Sequence, residues 1–99
     1  MISLSAISLS GMNAAQVGLQ AGAHNIANLG TPGFRREQVT QAEEPAGGVS
    51  TTLTRAADAG DAMATDMVGL LQSKNLFLAN LAVFRASDRM AGALLDAAA

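Results

Sequence analysis

From Met63 to Leu95 the chain keeps a spacing of four and three residues without a break: Met63, Met67, Leu70, Lys74, Phe77, Leu81, Phe84, Asp88, Ala91, Leu95. Eight of these ten are apolar and no proline interrupts the run, so residues 61–97 are expected to form one helix with a long apolar stripe. Val68, Leu71, Leu78 and Ala82 widen that stripe to one side, beyond what a simple two-stranded seam needs. At 1.5 Å per residue the helix is about 55 Å long. A rod of that length cannot bury its own face, so it must meet another helix of the chain and other molecules besides. Lys74 and Asp88 lie on the stripe. Either they pair with groups on a neighbouring helix and fix register, or they sit at its edge and reach water.

A second helix is expected over residues 3–28. Leu9, Met12, Gln16, Leu19, Ala23 and Ile26 follow the same alternation, and five of the six are apolar. Gly11, Gly18 and Gly22 weaken this helix by about 1 kcal/mol each relative to alanine. They also leave it smooth enough for another backbone to approach closely. Such a helix needs neighbours, and is expected to fray in a free monomer and order in an assembly. A marginal helix in a small bundle would carry the same glycines.

Residues 29–60 hold both prolines and five of the ten glycines, so the helices are expected to stop here. In Thr31-Pro32-Gly33-Phe34, Pro32 fixes φ at the second turn position and Gly33 accepts the positive φ of a type II turn. Asn28 or Gly30 is expected to take the left-handed position that closes the first helix. Residues 34–44 read as extended and polar. Gly47-Gly48 followed by alternating Val49, Thr51, Leu53 and Arg55 fits a strand or hairpin as well as an irregular linker. The expectation is a mainly α fold in a single domain, 1–99. Two long helices pack as a coiled coil or bundle, joined by an extended or short-β middle, and are ordered best in an oligomer.

Composition narrows the function. Half the residues are hydrophobic, but much of that is alanine and only three residues are aromatic, which suits close helix packing rather than a thick core. A formal net charge of −2 gives no footprint for nucleic acid or an anionic membrane. The absence of cysteine excludes disulfides and thiolate metal sites. The opening MISLSAISLSGM lacks a basic stretch, so no secretory signal peptide is expected. No run of about 18 uninterrupted apolar residues occurs, so no membrane insertion is expected.

Groups able to carry catalysis are few. His24 is the single histidine and has no partner at metal-ligand spacing. Glu43 and Glu44 are adjacent rather than held apart. Ser3, Ser5, Ser8 and Ser10 have no recognisable base. Arg35-Arg36, beside Glu37, is a solvated pair or at most an interface contact. No enzyme activity, cofactor or metal is expected.

Two stretches resemble the axial proteins of the bacterial flagellum, the rod, hook and hook-associated family. Their N-terminal helices end in a signature of the form A-x-N-I-A-N-x-x-T-P-G-[YF]-x-R, which stands here as Ala23, Asn25, Ile26, Ala27, Asn28, Thr31, Pro32, Gly33, Phe34 and Arg36. The family's terminal helix looks similar to this chain at Phe77, Ala79-Asn80, Arg85, Asp88, Met90 and Leu94-Leu95. The two matches cover roughly half the chain, in the same order and at opposite ends.

The resemblance implies a structural subunit of the basal-body rod or hook-proximal axial structure. It would assemble through its terminal helices with itself and other axial proteins in the periplasmic rod of the basal body, after leaving the cytoplasm by the flagellar type III export apparatus with its N-terminus uncleaved. It also implies that the turn motif, Asn25, Asn28, Thr31, Pro32, Gly33 and Phe34, ends the inner helix and turns the chain outward. The helix and subunit interface is expected at Leu9, Met12, Leu19, Ile26, Met67, Leu70, Phe77, Leu81, Phe84 and Leu95. The middle, about 30 residues, is short for the family and fits a minimal, rod-type member. A small soluble helical adaptor, a closed coiled-coil oligomer, is the alternative the same heptads support.

Overall fold

The computed structural model describes residues 3–98. Four elements follow in chain order: helix α1 (Leu4–Ala27), strands β1 (Glu37–Glu43) and β2 (Val49–Arg55), and helix α2 (Met63–Ala98). Both helices lie within two residues of their expected bounds. At the start of α1, Ser3 is the N-cap, and its hydroxyl accepts from the Ala6 N–H at 3.2 Å. A cap of this kind stabilises a helix by about 1 kcal/mol.

The end of α1 differs from expectation. Neither Asn28 nor Gly30 is left-handed; among the described residues positive φ occurs at Gly33, Gly47, Gly48 and Gly60. The helix instead tightens. The Asn28 N–H donates to the Asn25 carbonyl and the Leu29 N–H to that of Ile26, both at 3.2 Å. The Asn28 amide donates back to the His24 carbonyl at 2.8 Å. These short-range bonds satisfy the last carbonyls without a left-handed residue. The turn that follows is as expected: the Phe34 N–H donates to the Thr31 carbonyl at 3.3 Å, and Gly33 has φ +73°.

The middle of the chain is a hairpin rather than an irregular linker. β1 and β2 are antiparallel, with Glu37 opposite Arg55, Val39 opposite Leu53, and Glu43 opposite Val49. An isolated two-stranded hairpin is marginal in water. This one is tied along α1 at both ends. Asn25 holds the first residue of β1, and the Ser10 hydroxyl accepts from the Val49 N–H at 3.1 Å while donating to the Ile7 carbonyl at 2.7 Å.

The two helices run antiparallel, and seven-residue steps set their register. Gly11 faces Asn80, Gly18 faces Ser73, and Asn25 bonds Asp66. Between these layers Gly22 lies against Leu70, so the same steps place Ala15 opposite Phe77 and Ser8 opposite Phe84. Large side chains of α2 thus meet the smallest positions of α1. Ser8 and Ala15, each 1% exposed, are the most deeply covered points of that helix. A Cβ added at Gly22 would stand 2.8 Å from a Leu70 methyl. The glycines are therefore where the helices approach most closely.

The apolar stripe read from the sequence is rotated from this seam. Met12 is buried and Leu19, Ile26, Leu70, Phe77, Leu81 and Phe84 are half-buried, but Leu9, Met67 and Leu95 are exposed. The seam is built on small positions of α1, among them the three glycines expected to let a backbone approach closely, with Leu70 set against Gly22.

The molecule is a thin slab, 63 × 24 × 14 Å, because two helices and a hairpin make no enclosed core. In this antiparallel register Leu4, at the start of α1, comes opposite Ser87, so the end of α2 runs on beyond it. α2 also contains an 18-residue window of mean hydropathy 1.3, long and apolar enough to cross a membrane by length and composition. The window is not an uninterrupted apolar run, since an average tolerates Gln72, Lys74, Asn75 and Asn80 among strongly apolar neighbours.

Candidate functional site

The densest polar chemistry lies where α1 ends, β1 begins and α2 begins. Arg36 and Ala56 extend the ladder by one bond, the Ala56 N–H donating to the Arg36 carbonyl at 2.8 Å. In an antiparallel pair the next residues, Glu37 and Arg55, then turn their backbone groups away from each other. Asn25 meets the outward groups of Glu37. Its Oδ1 accepts from the Glu37 N–H at 2.7 Å, and its Nδ2 donates to the Glu37 carbonyl at 2.9 Å. One carboxamide thus substitutes for a neighbouring strand.

The same Nδ2 donates to Asp66 Oδ1 at 3.3 Å. Asp66 also receives Arg36: Nε donates to Oδ2 at 3.2 Å, and the guanidinium Nη2 reaches Oδ1. Asn25 and Asp66 are 3% and 5% exposed, so these bonds form largely out of water. The hydrogen bond to Asp66 raises the Arg36 pKa further above its already high value; burial opposes this and the charge of Asp66 adds to it. Arg36 therefore stays charged throughout the ordinary pH range. The bidentate fork also fixes orientation, since both guanidinium edges used are committed to one carboxylate.

A looser outer layer surrounds this clasp. His24 Nε2 lies 3.5 Å from Glu37 Oε1, and Arg55 reaches the same oxygen at 4.0 Å. The Phe34 ring meets His24 edge-on, with centroids 5.3 Å apart. Thr31 Oγ1 donates to Asn28 Oδ1 at 3.2 Å. Beside the clasp an open groove of ≈ 490 Å³ runs between β1 and the helices, floored by Gly18, Gly22 and Gly69.

The residues of the turn motif are brought together, but in different tasks. Asn25 anchors β1, Asn28 finishes α1, Thr31 supports Asn28, and Pro32-Gly33 reverse the chain so that Phe34 returns over His24. The clasp gives one signature residue a partner and adds one residue the sequence reading did not mark. Arg36 looked solvated and is paired with a buried acid; Asp66 was not singled out at all. A signal for Asp66 existed, since Asp66, Ser73, Asn80 and Ser87 recur every seven residues as the small or polar partners of the α1 stripe.

Chemically the clasp is closed on itself. Among the described residues no buried side-chain nitrogen or oxygen lacks a partner, and no three His, Asp or Glu gather to hold a metal. The arrangement joins three elements at fixed geometry and presents no free nucleophile, base or ligand set. No protein-family model matches this chain, and no curated protein matches it.

Proposed function

We propose that this chain is a structural subunit of the bacterial flagellar basal-body rod, or of the hook-proximal axial structure. It would assemble with copies of itself and with other axial proteins through the α1–α2 pair, after export by the type III apparatus without loss of its N-terminus. The observation that supports the reading best is the way the motif residues work as one joint. Asn25 near the start of the signature and Arg36 at its end grip the same buried carboxylate, Asp66. Pro32 and Gly33 supply the reversal between them. A motif whose members fix the angle between a helix pair and a hairpin suits a subunit that must present the same surfaces in every copy of a polymer. The thin slab, with apolar residues exposed along both helices, suits burial completed between molecules.

The test is genetic and structural. A strain lacking the gene should lose motility, and electron micrographs of its envelopes should show basal bodies without complete rods. Motile cells with normal rods and hooks would overturn the assignment. A soluble adaptor would leave those structures intact.

A further inference from the structure

Along α2, Met67, Lys74, Leu81, Asp88 and Leu95 recur every seven residues, and the series reads symmetrically about Leu81: apolar, charged, apolar, opposite charge, apolar. Seven residues are close to two helical turns, so these five share one stripe. The stripe lies beside the α1 seam, not on it. Met67, Lys74, Asp88 and Leu95 are exposed, Leu95 by 72%, and Leu81 is half-buried. Neither Lys74 nor Asp88 joins an ion pair among the described residues. The hairpin does not reach this side. Its groove is lined on α2 by Thr65, Asp66, Gly69, Gln72, Ser73 and Leu76, and Gln72 and Leu76 each project about 160° around the helix from Lys74.

We infer that this hairpin-free face closes against a second copy of the same chain, antiparallel, about a two-fold axis at Leu81. In that register Leu81 meets its own symmetry mate. Lys74 pairs with Asp88 of the second copy, Met67 packs on Leu95, and Leu71 on Ala91. The arrangement satisfies both stripe charges twice and covers the overhanging end of α2. The α1–α2 register places Ser10 opposite Leu81, so exposed Leu9 also lies near the axis. A strip about 50 Å long and one helix diameter, about 10 Å, wide gives on the order of 500 Å² per chain. With Leu9 and its neighbours the contact approaches the ~800 Å² per partner of a stable interface. A two-fold contact is self-complementary by construction, and a symmetric charge series is what such a contact requires. The inference goes beyond the flagellar assignment and does not depend on it. For a subunit that must reach its assembly site before it polymerises, a closed dimer keeps the apolar face covered.

The experiment measures association of the whole chain by sedimentation, together with cysteine cross-linking, for which a cysteine-free chain is well suited. The parent should be a dimer at micromolar concentration. Lys74→Glu and Asp88→Lys should each weaken dimerisation about tenfold, and the double reversal should return within about threefold of the parent. Leu81→Cys should oxidise to a disulfide-linked dimer. Ala86→Cys, about 140° away around α2, should not. A monomer at all concentrations, a ladder of sizes, single reversals that bind like the parent, or equal cross-linking at both positions would each overturn the inference. So would transfer of the parent as a monomer to phosphatidylcholine vesicles, which would make lipid the occupant of the face. Normal motility in the deletion strain would defeat the flagellar assignment alone, and uncoupled charges would defeat this one alone.

Discussion

Asp66 is the residue on which the joint depends most. It is a nearly buried carboxylate that accepts from Asn25 and from two nitrogens of Arg36. Burying an ion pair carries a desolvation penalty that its attraction offsets only when the geometry is good, so the pair adds little net stability. Removing one partner is another matter, because it leaves the other charge buried and alone, at about 3–5 kcal/mol. The side chain of Arg36 keeps some contact with water, which places it at the low end. Asp66→Ala should therefore lower the unfolding free energy by about 3 kcal/mol, read from urea denaturation at fixed protein concentration. Adding Arg36→Met should recover more than half of that loss, because it removes the orphaned charge and keeps the stem that packs. If the double variant were no more stable than Asp66→Ala, the cost would lie in lost packing rather than in an unpaired guanidinium.

At the scale of elements, the glycines of the two helices separate intrinsic propensity from packing. Gly69 in α2 has nothing within 4 Å of the position a Cβ would take. Gly69→Ala should stabilise the protein by about 0.5–1 kcal/mol, the ordinary helix gain. Gly11 in α1 is different. Its added Cβ would fall 2.6 Å from Cγ of Asn80, whose amide is held by the Leu76 carbonyl at 2.8 Å. Overpacking there costs about 1–3 kcal/mol, so Gly11→Ala should lower the melting temperature although alanine is the better helix former. Two Gly→Ala changes of opposite sign, measured by thermal circular dichroism, would establish the close approach. Two gains of equal size would contradict it.

The same pair of helices shows how far the sequence could be read. Their existence and bounds were legible because heptad periodicity and the Pro32-Gly33 break are local signals. The hairpin was half legible, since Gly47-Gly48 with alternating Val49 to Arg55 marks a strand but does not say that Asn25 and Ser10 will hold it. The phase of the seam was not legible. Leu9 and Met67 belong to the heptad stripe and lie outside, while Ser8 and Ala15, off that stripe, are buried. That inversion depends on the size of the opposing residue, Phe84, Asn80 or Phe77, far away in the chain. The Arg36–Asp66 bond spans 30 positions, so although the heptad recurrence marks Asp66, nothing local pairs it with Arg36.

For the whole molecule the decisive feature is unequal helix length. α1 has 24 residues and α2 has 36, and the antiparallel register aligns the start of α1 with Ser87. Among the described residues, α1 begins opposite Ser87, so residues 88–98 extend past its start and stand apart from the clasp. They carry Met90, Leu94 and Leu95, all more than 60% exposed. Exposed leucine on a lone helical end does not stabilise a chain, because an isolated segment of this length is barely helical in water. Its helicity in the single chain comes from continuity with the seam, and the proposed dimer would add a second support. A chain ended after Ser87 separates the two contributions. It should unfold within about 0.5 kcal/mol of the parent at concentrations where both are monomeric, since the variant keeps every contact of the clasp and seam. At tens of micromolar it should fail to self-associate, because Asp88, Ala91 and Leu95 are gone from the stripe. The parent should gain stability with concentration, as any folded state coupled to assembly does, and the shortened chain should not. A shortened chain that associates as well as the parent would move the contact to Met67, Leu71 and Leu78 alone, and the overhang would then be a passive extension of α2.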